Sequence, residues 1–225
     1  MRTATRTERL LVSRQDPTTR LFTRVGELSR AGDGYVFTYD NGITRALPGL
    51  PLGRDHRSTN LFPVFAERIL SPSRPDRRMT LAQLALDAGA EPFEVLARSG
   101  GRRTGDTYEL TPIPEPGPVS LLFLVHGVSH LPKTGQECVD SLRAGDALEL
   151  VREPGNPVNP QAIQVTRMGM PIGYVPDPLI DIVARVLGAD HGPRLSVARV
   201  NPRDAGFHMR ILVAMDGYLP ELGTT

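Results

Sequence analysis

The residues best suited to chemistry lie in three short stretches. RSGGRRTGD (98–106) concentrates arginine and glycine, HGVSH (126–130) places two histidines around a serine, and EPGNPVNPQAI (153–163) contains two Asn-Pro pairs. The N–H groups of a glycine-rich turn can hold a phosphate together with guanidinium groups. A serine beside a histidine can act as a nucleophile. A stiff loop can present a binding surface.

The histidine–serine stretch does not form a recognisable hydrolase centre. It lacks the G-x-S-x-G turn, and no acidic residue stands where it would complete a triad. We therefore expect His126 to end a buried strand and His130 to lie at the rim of that strand. Nucleotide-hydrolysis motifs, metal-ligand clusters and kinase catalytic loops are also missing from the sequence, so it predicts no enzyme, catalytic residue, metal or cofactor.

The Gly-Arg turn has two explanations, and the sequence leaves both open. It matches neither the P-loop nor the dinucleotide-binding pattern, and a Gly pair is also a common way to end a helix. RPDRR (74–78) is either a solvated helix start or a supporting basic patch. The candidate phosphate contacts are five arginines, namely Arg77, Arg78, Arg98, Arg102 and Arg103.

The proline-rich stretch 153–163 is stiffer than a linker needs to be. Proline fixes φ and removes a donor, and it pushes the preceding residues, Asn156 and Asn159, towards extended geometry. A flexible linker would use glycine and serine. The loop either holds a shape that presents something or simply joins two strands.

Charge is distributed unevenly along the chain. The net charge of +1 gives no global attraction to nucleic acid, but residues 1–118 carry 17 Arg against 14 acidic residues, whereas residues 119–225 have a net charge of −2. Of the 26 basic residues, all but Lys133 are arginine, which suits bidentate phosphate contacts or reflects a GC-rich genome. Any nucleic-acid site must therefore be local.

Composition is ordinary for a soluble globular protein. Hydrophobic residues make up 40% of the 225, and no apolar run approaches the roughly 20 residues that span a bilayer. The single Cys138 excludes an intramolecular disulfide. Because the N-terminus also lacks a secretory apolar core, we expect a cytoplasmic protein without membrane contact.

Hydrophobic periodicity predicts an α+β fold with two domains. The first would be a β-sheet with three short helices, and the second a small β-barrel with one helix. PEPGP (114–118) is the best candidate linker, since it offers no apolar side chain to bury. The predicted domains are residues 1–113 and 119–225.

In the first, strands are expected at 8–13, 20–29, 35–39 and 107–113, and helices at 59–70, 74–87 and 91–100. In the second, strands are expected at 121–128, 147–153, 162–168, 171–176, 194–201 and 207–216, and a helix at 177–188. ECVDSLRAGD (137–146) is a further candidate for a short helix, ending near Gly145.

The second half resembles the HIRAN family. The resemblance runs from about residue 121 to 215 and rests on FLVHGVSH (123–130), LRAGDALELVREPGNPVNPQAIQV (142–165) and PIGYVP (171–176). It implies a small barrel related to OB-like and SH3-like folds, of a kind that occurs alone in bacteria and fused to DNA-remodelling ATPases in eukaryotes. The best-understood members hold the 3′ end of single-stranded DNA, so the resemblance implies a DNA partner.

The resemblance also implies a set of binding residues, with the Asn-Pro loop as one wall of the pocket. These residues are His130, Arg152, Asn156, Val158, Asn159, Tyr174 and Phe207. Three departures weaken the expected binding. Val158 stands where the family has an aromatic, Asn159 where it has an acid, and Asp177 where it has a basic residue.

The first half resembles the N-terminal subdomain of HipA-like kinases. The resemblance is carried by VGEL (25–28), GYVFTY (34–39), LPGLPL (47–52), LFPVFAERIL (61–70) and PFEVLARSGGRRTGD (92–106). The kinase core that should follow is replaced by the HIRAN-like half, so phosphotransfer is not implied. The expectation is a non-enzymatic nucleic-acid-binding protein whose residues 1–113 contact a protein partner. The alternative is a protein-interaction module or antitoxin-like regulator without DNA binding.

Overall fold

The computed structural model describes residues 7–103 and 105–221, and the chain divides into two compact units. Of the described residues, one unit comprises 7–82 and 86–113, and the other begins at Pro114 and also includes Gln83–Ala85. Among the described residues, every helix is too short or too polar to cross a membrane.

The first unit is built on a five-stranded antiparallel sheet with the order β4-β3-β2-β1-β5. The strands are β1 (Arg9–Gln15), β2 (Phe22–Ala31), β3 (Gly34–Tyr39), β4 (His56–Ser58) and β5 (Tyr108–Pro112). Three helices, α1 (Pro63–Ala66), α2 (Arg77–Gln83) and α3 (Pro92–Ser99), lie between β4 and β5 in the chain. The core contains the fully buried rings of Phe37, Phe65 and Phe93.

The predicted helices of this unit form, but two of them are shorter than the sequence indicates. Phe62 is held in extended geometry (ψ 139°) because it precedes Pro63, so α1 cannot begin at residue 59. Ala85 has a positive φ of 54°, and α2 has ended by then. The prediction for α3 is confirmed, since Gly100 (φ 71°) closes it in the left-handed conformation.

The second unit contains a six-stranded antiparallel sheet with the order β6-β11-β10-β7-β8-β9. Its strands are β6 (Gly117–Leu124), β7 (Ala147–Arg152), β8 (Ile163–Arg167), β9 (Met170–Tyr174), β10 (Arg194–Val200) and β11 (Ile211–Leu219). Its helices are α4 (Lys133–Ser141) and α5 (Ile180–Leu187). Ile180, Val183 and Val186 of α5 are buried in the core, as an amphipathic helix requires.

The predicted barrel is wrong in one respect, because the sheet does not close. The edge strands meet only beyond the end of β6, where His126 and Tyr174 exchange two backbone hydrogen bonds of 2.9 Å. Gly173 (φ 138°) makes this approach possible, since a Cβ there would lie 2.3 Å from Cγ1 of Val125. This single bridge positions Tyr174 for the site described below.

Three further expectations for this unit need correction. Gly117 and Pro118, predicted as linker, begin β6 and pair with Leu219 and Tyr218. The unit has two helices rather than the one of the expected barrel, since α4 forms as well as α5, and α4 begins and ends earlier than the short helix predicted at 137–146. Residues Phe207–Met209 form a 3-10 turn instead of starting a strand, because Gly206 (φ 82°, ψ 153°) turns the chain immediately before them.

Candidate functional site

Tyr174 is the side chain around which the candidate site is built. It ends β9 opposite Gln164 and is half-buried. Its ring lies against Gly127, where a Cβ would be 2.9 Å from the ring atom Cδ2. Gly127 also has a φ of 75°, so glycine is favoured there both by the backbone and by the ring. The ring is therefore held by the end-to-end bridge and by this close backbone contact.

The Asn-Pro pairs give the loop its shape. Oδ1 of Asn156 accepts from the backbone N–H groups of Val158 and Asn159, both at 3.0 Å. Oδ1 of Asn159 accepts from the N–H of Gln161 at 2.9 Å. These are Asx turns, and a backbone hydrogen bond from Glu153 to Ala162 (2.9 Å) closes the loop. The stiffness seen in the sequence thus reflects a loop with a fixed conformation.

Asn156 and Asn159 therefore have fewer side-chain polar groups available to a ligand than the sequence indicates. The amide Nδ2 of Asn156 donates to Oε2 of Glu153 at 2.8 Å, so both ends of this side chain are engaged within the loop. The role of Asn156 is to hold the loop. The Nδ2 of Asn159 has no hydrogen-bond partner among the described residues, so this amide group can still donate to a ligand.

Glu153 belongs to the site, although sequence reasoning did not select it. Its Oε2 accepts from Nδ2 of Asn156 at 2.8 Å, and this hydrogen bond is the main reason that the pKa of Glu153 is lowered. The nearby side chains of Tyr174 and Gln164 lower this pKa further. Burial is the main reason that the pKa of Tyr174 is raised. At neutral pH a carboxylate therefore faces a protonated phenol. The available signal was an acidic residue at the start of a loop predicted to have a fixed shape.

Phe207 is brought towards this region by two short 3-10 turns. The turn Phe207–Met209 packs against the turn Val128–His130, and the latter also packs against β9, which carries Tyr174. The side chain of Phe207 is 54% exposed, and His130 is also exposed. The structure thus gathers three of the predicted residues, His130, Tyr174 and Phe207, on neighbouring segments.

Ion pairs hold the segment that carries Phe207 against α4. The carboxylate of Asp140 accepts from Nη2 of the buried Arg210 at 2.8 Å and pairs with Arg203. The pKa of Asp140 is lowered chiefly by its hydrogen bond with Arg203 and, to a smaller extent, by Arg210. Nδ2 of Asn201 adds a bond of 2.7 Å to the backbone oxygen of Met209. We call Asp140, Arg203 and Arg210 the clamp.

The remaining predicted residues of this unit lie at different places. Val158 is 55% exposed on the loop, where it offers an aliphatic surface. Arg152 is exposed and donates to the backbone oxygen of Ala184 in α5 at 3.3 Å. Asp177 is half-buried at the start of the 3-10 turn Asp177–Leu179. The structure therefore does not turn Arg152 towards the loop.

The Gly-Arg turn of the first unit is organised as a helix end. The buried guanidinium of Arg68 donates to the backbone oxygen of Gly101 at 3.0 Å and pairs with Asp106. Arg103 pairs with Glu67 at 2.7 Å. Arg98 is half-buried, and burial lowers its pKa. These contacts favour the structural explanation of the turn, while Arg102 and Arg103 still reach its exposed surface.

Arg77 and Arg78 line a cleft of 340 Å³ together with Arg74. Arg77 donates to the backbone oxygen of Leu70 at 2.6 Å, and Arg74 pairs with Asp76. Two of the three guanidinium groups are therefore already engaged by the protein. Phosphate contact by Arg77 and Arg78 stays a prediction.

Comparison with known proteins identifies the second unit. The family model of the HIRAN domain matches residues 119–219, which confirms the predicted resemblance for this part of the chain. A crystal structure of the HIRAN domain of human HLTF is 20% identical, with a TM-score of 0.34, over 47% of this chain and 82% of that one. No curated protein matches the chain significantly. The likeness of the first half to HipA-like kinases stays a prediction.

Proposed function

We propose that the HIRAN domain of this protein binds single-stranded DNA or DNA ends without catalysing a reaction. The observation that carries the proposal is the HIRAN match over residues 119–219, within which Tyr174 and Phe207 stand on neighbouring segments. An unpaired base offers a π-face that can stack on such rings, whereas the bases of a duplex are already stacked.

The surroundings of the two rings suit an unpaired nucleotide. Exposed Val158 can contact a base or sugar, and Nδ2 of Asn159 can donate to a base edge or a phosphate. His130 is an exposed polar group on the turn that packs against β9. Because residues 119–225 have a net charge of −2, stacking is expected to contribute more to binding than phosphate attraction does.

We assign the first unit an accessory role within this proposal. It provides either a contact for a protein partner or a second, basic surface through Arg102, Arg103 and Arg78. These three arginines are exposed, although Arg103 would have to release Glu67 to meet a phosphate.

Fluorescence anisotropy of the full chain with labelled oligonucleotides tests the proposal. A single strand should bind more tightly than a blunt duplex of the same sequence. Tyr174→Ala and Phe207→Ala should each weaken binding of the single strand by roughly 5- to 100-fold, the cost of losing one base–aromatic stack. Tyr218→Ala is the matched control, because Tyr218 is 55% exposed and Phe207 is 54% exposed. Equal effects of all three variants would contradict the proposed site.

A protein-interaction module or antitoxin-like regulator is the second candidate. The acidic excess of residues 119–225 and the carboxylate of Glu153 beside Tyr174 favour it, because both repel a polyanion. Failure of every oligonucleotide to bind at low salt would support this candidate. The next experiment would then be a search for a protein partner with the intact chain.

A further inference from the structure

The clamp contains more positive charge than its carboxylate can balance. Asp140 carries one negative charge, whereas Arg203 and Arg210 together carry two positive charges. Because residues 119–225 have a net charge of −2, the clamp is a local exception to the acidic character of its unit. This excess of one positive charge lies on the segment that carries Phe207, one of the two rings proposed to stack on a base.

The two arginines differ in how firmly the protein holds them. The side chain of Arg210 is only 6% exposed, and it donates to the backbone oxygen of Asn201 as well as to Asp140. The side chain of Arg203 is 78% exposed, and it contacts Asp140 through Nη2 and through Nε at 3.3 Å. An ion pair as exposed as this one contributes little to stability, because water and salt screen it. Arg203 can therefore leave Asp140, which Arg210 still neutralises.

Arg203 lies beside the proposed stacking surface. The adjoining 3-10 turns Arg203–Ala205 and Phe207–Met209 pack against each other, and the latter also packs against the turn Val128–His130. A base that stacks on Phe207 brings the phosphate of its own nucleotide, or of the next one, to this segment. Arginine suits such a contact, since its planar guanidinium donates two parallel hydrogen bonds to phosphate oxygens.

We propose that Arg203 is a phosphate-binding residue, which leaves Asp140 and binds a backbone phosphate when a single strand enters the site. This inference rests on the proposed function, since it adds a contact to the same site. It assigns to Arg203 the role that the sequence predicted for Arg152, whose guanidinium donates to the backbone oxygen of Ala184 instead. Asp140 holds Arg203 in place until a phosphate replaces it.

The salt dependence of binding tests this contact. Fluorescence anisotropy of the full chain with a labelled single-stranded oligonucleotide would be recorded between about 50 and 200 mM salt. Arg203→Gln should weaken binding roughly three- to fivefold at the lowest salt and less at the highest, because one phosphate contact changes the slope of log K against log salt by about 0.7. Arg203→Lys should retain the slope of the wild type, since it keeps the charge.

Arg194→Gln is the matched control for Arg203→Gln. Arg194 is exposed at the start of β10, where it stands opposite Asp216, towards the end of β11 that is distant from the turn Phe207–Met209. Its loss changes the net charge equally but should leave the salt slope unchanged. Equal losses of affinity and slope in both variants would show a general charge effect and refute the role of Arg203.

Asp140→Asn separates phosphate binding from support of the fold. Removing the carboxylate releases Arg203 and should strengthen binding of the single strand roughly three- to fivefold at low salt, although the fold itself becomes less stable. A clamp with a structural role alone predicts the opposite, because loosening the segment displaces Phe207 and weakens binding. Asp190→Asn is the control, since Asp190 is exposed in the loop between α5 and β10 and its loss changes the net charge equally.

Each other result overturns the inference in a distinguishable way. If the strand binds but Arg203→Gln leaves the salt slope unchanged, the inference fails while the proposed function stands. Weaker binding in Asp140→Asn would show that the clamp only supports the fold. An equal gain in Asp190→Asn would show a general charge effect. If no strand binds the wild-type protein, the proposed function and the inference fail together.

Discussion

At the scale of single residues, the candidate site depends on the absence of a side chain at Gly127. This residue combines a φ of 75° with a ring edge 2.9 Å from where its Cβ would be. Gly169 has a similar φ of 77°, but a Cβ there would meet no described atom within 4 Å. The two glycines therefore separate backbone strain from contact with Tyr174.

Gly127→Ala should lower stability more than Gly169→Ala does, because only the former adds a clash to the backbone strain, and the two variants should differ in binding. Each places alanine in a left-handed conformation at a cost of about 1 kcal/mol. Only Gly127→Ala should displace the ring of Tyr174 and weaken binding of a single-stranded oligonucleotide. Thermal unfolding followed by circular dichroism and anisotropy measure the two effects. Unchanged binding in Gly127→Ala would show that the ring position is unimportant.

The sequence identified the residues of the loop but not the structural or binding role of each one. The pattern N-P-V-N-P indicated a rigid loop, and the Asx turns of Asn156 and Asn159 confirm this rigidity. Glu153 was missed because it follows β7 whereas Tyr174 ends β9, on the other side of β8, and strand register rather than sequence distance decides which side chains meet there.

At the scale of elements, the loop 153–162 should loosen in steps as its two asparagines are removed. Asn156→Ala should speed hydrogen exchange at the amides of Val158 and Asn159, which lose their acceptor. Asn159→Ala should speed exchange chiefly at Gln161. Exchange measured by NMR at neutral pH distinguishes these patterns, and each variant is the control for the other. Uniform acceleration throughout the loop in both variants would mean that it opens as one unit.

The clamp should make the stability of the fold depend on pH under acidic conditions. Arg203 and Arg210 lower the pKa of Asp140 below its usual value near 3.9, so the folded state holds this proton less tightly than the unfolded chain does. The stabilisation is therefore present above about pH 4 and lost as pH falls through the lowered pKa. The melting temperature of Asp140→Asn should lie below that of the wild type at pH 7, and the gap should shrink towards about pH 2.

Differential scanning calorimetry across this pH range measures that gap. Asp204→Asn is the control, since Asp204 is exposed on the same segment and has no ion pair within residues 105–221. A gap for Asp140→Asn that stays constant with pH would show that its effect is not due to charge.

The ends of helices and strands could be predicted from the sequence where local conformational preferences determine them. The predictions were wrong where contacts between distant residues determine the ends. Pro92 and Gly100 define the ends of α3 by their own conformational preferences. By contrast, the apolar periodicity of residues 207–216 gives no sign that the clamp and Gly206 fold Phe207–Met209 into a 3-10 turn. The exposure of Phe207 follows from this turn and could not be predicted.

At the scale of the whole molecule, the sequence predicted two sheets but not how the second ends. Its strand count favoured a barrel, whereas the structure joins the edge strands only through the bridge between His126 and Tyr174. Whether six strands close depends on twist and stagger, which hydrophobic alternation does not encode. The open end is where the chain places Tyr174, the 3-10 turn Val128–His130 and the Asn-Pro loop.

The most direct test of the central claim is an NMR map of DNA binding on the full chain. Amide resonances of the ¹⁵N-labelled protein would be followed as a hydroxyl-terminated single strand is added. The account predicts that the largest shifts lie at 126–130, 153–161, 174 and 203–210, and that Tyr174→Ala reduces them. Shifts confined to the first unit, or none at saturating oligonucleotide, would contradict it.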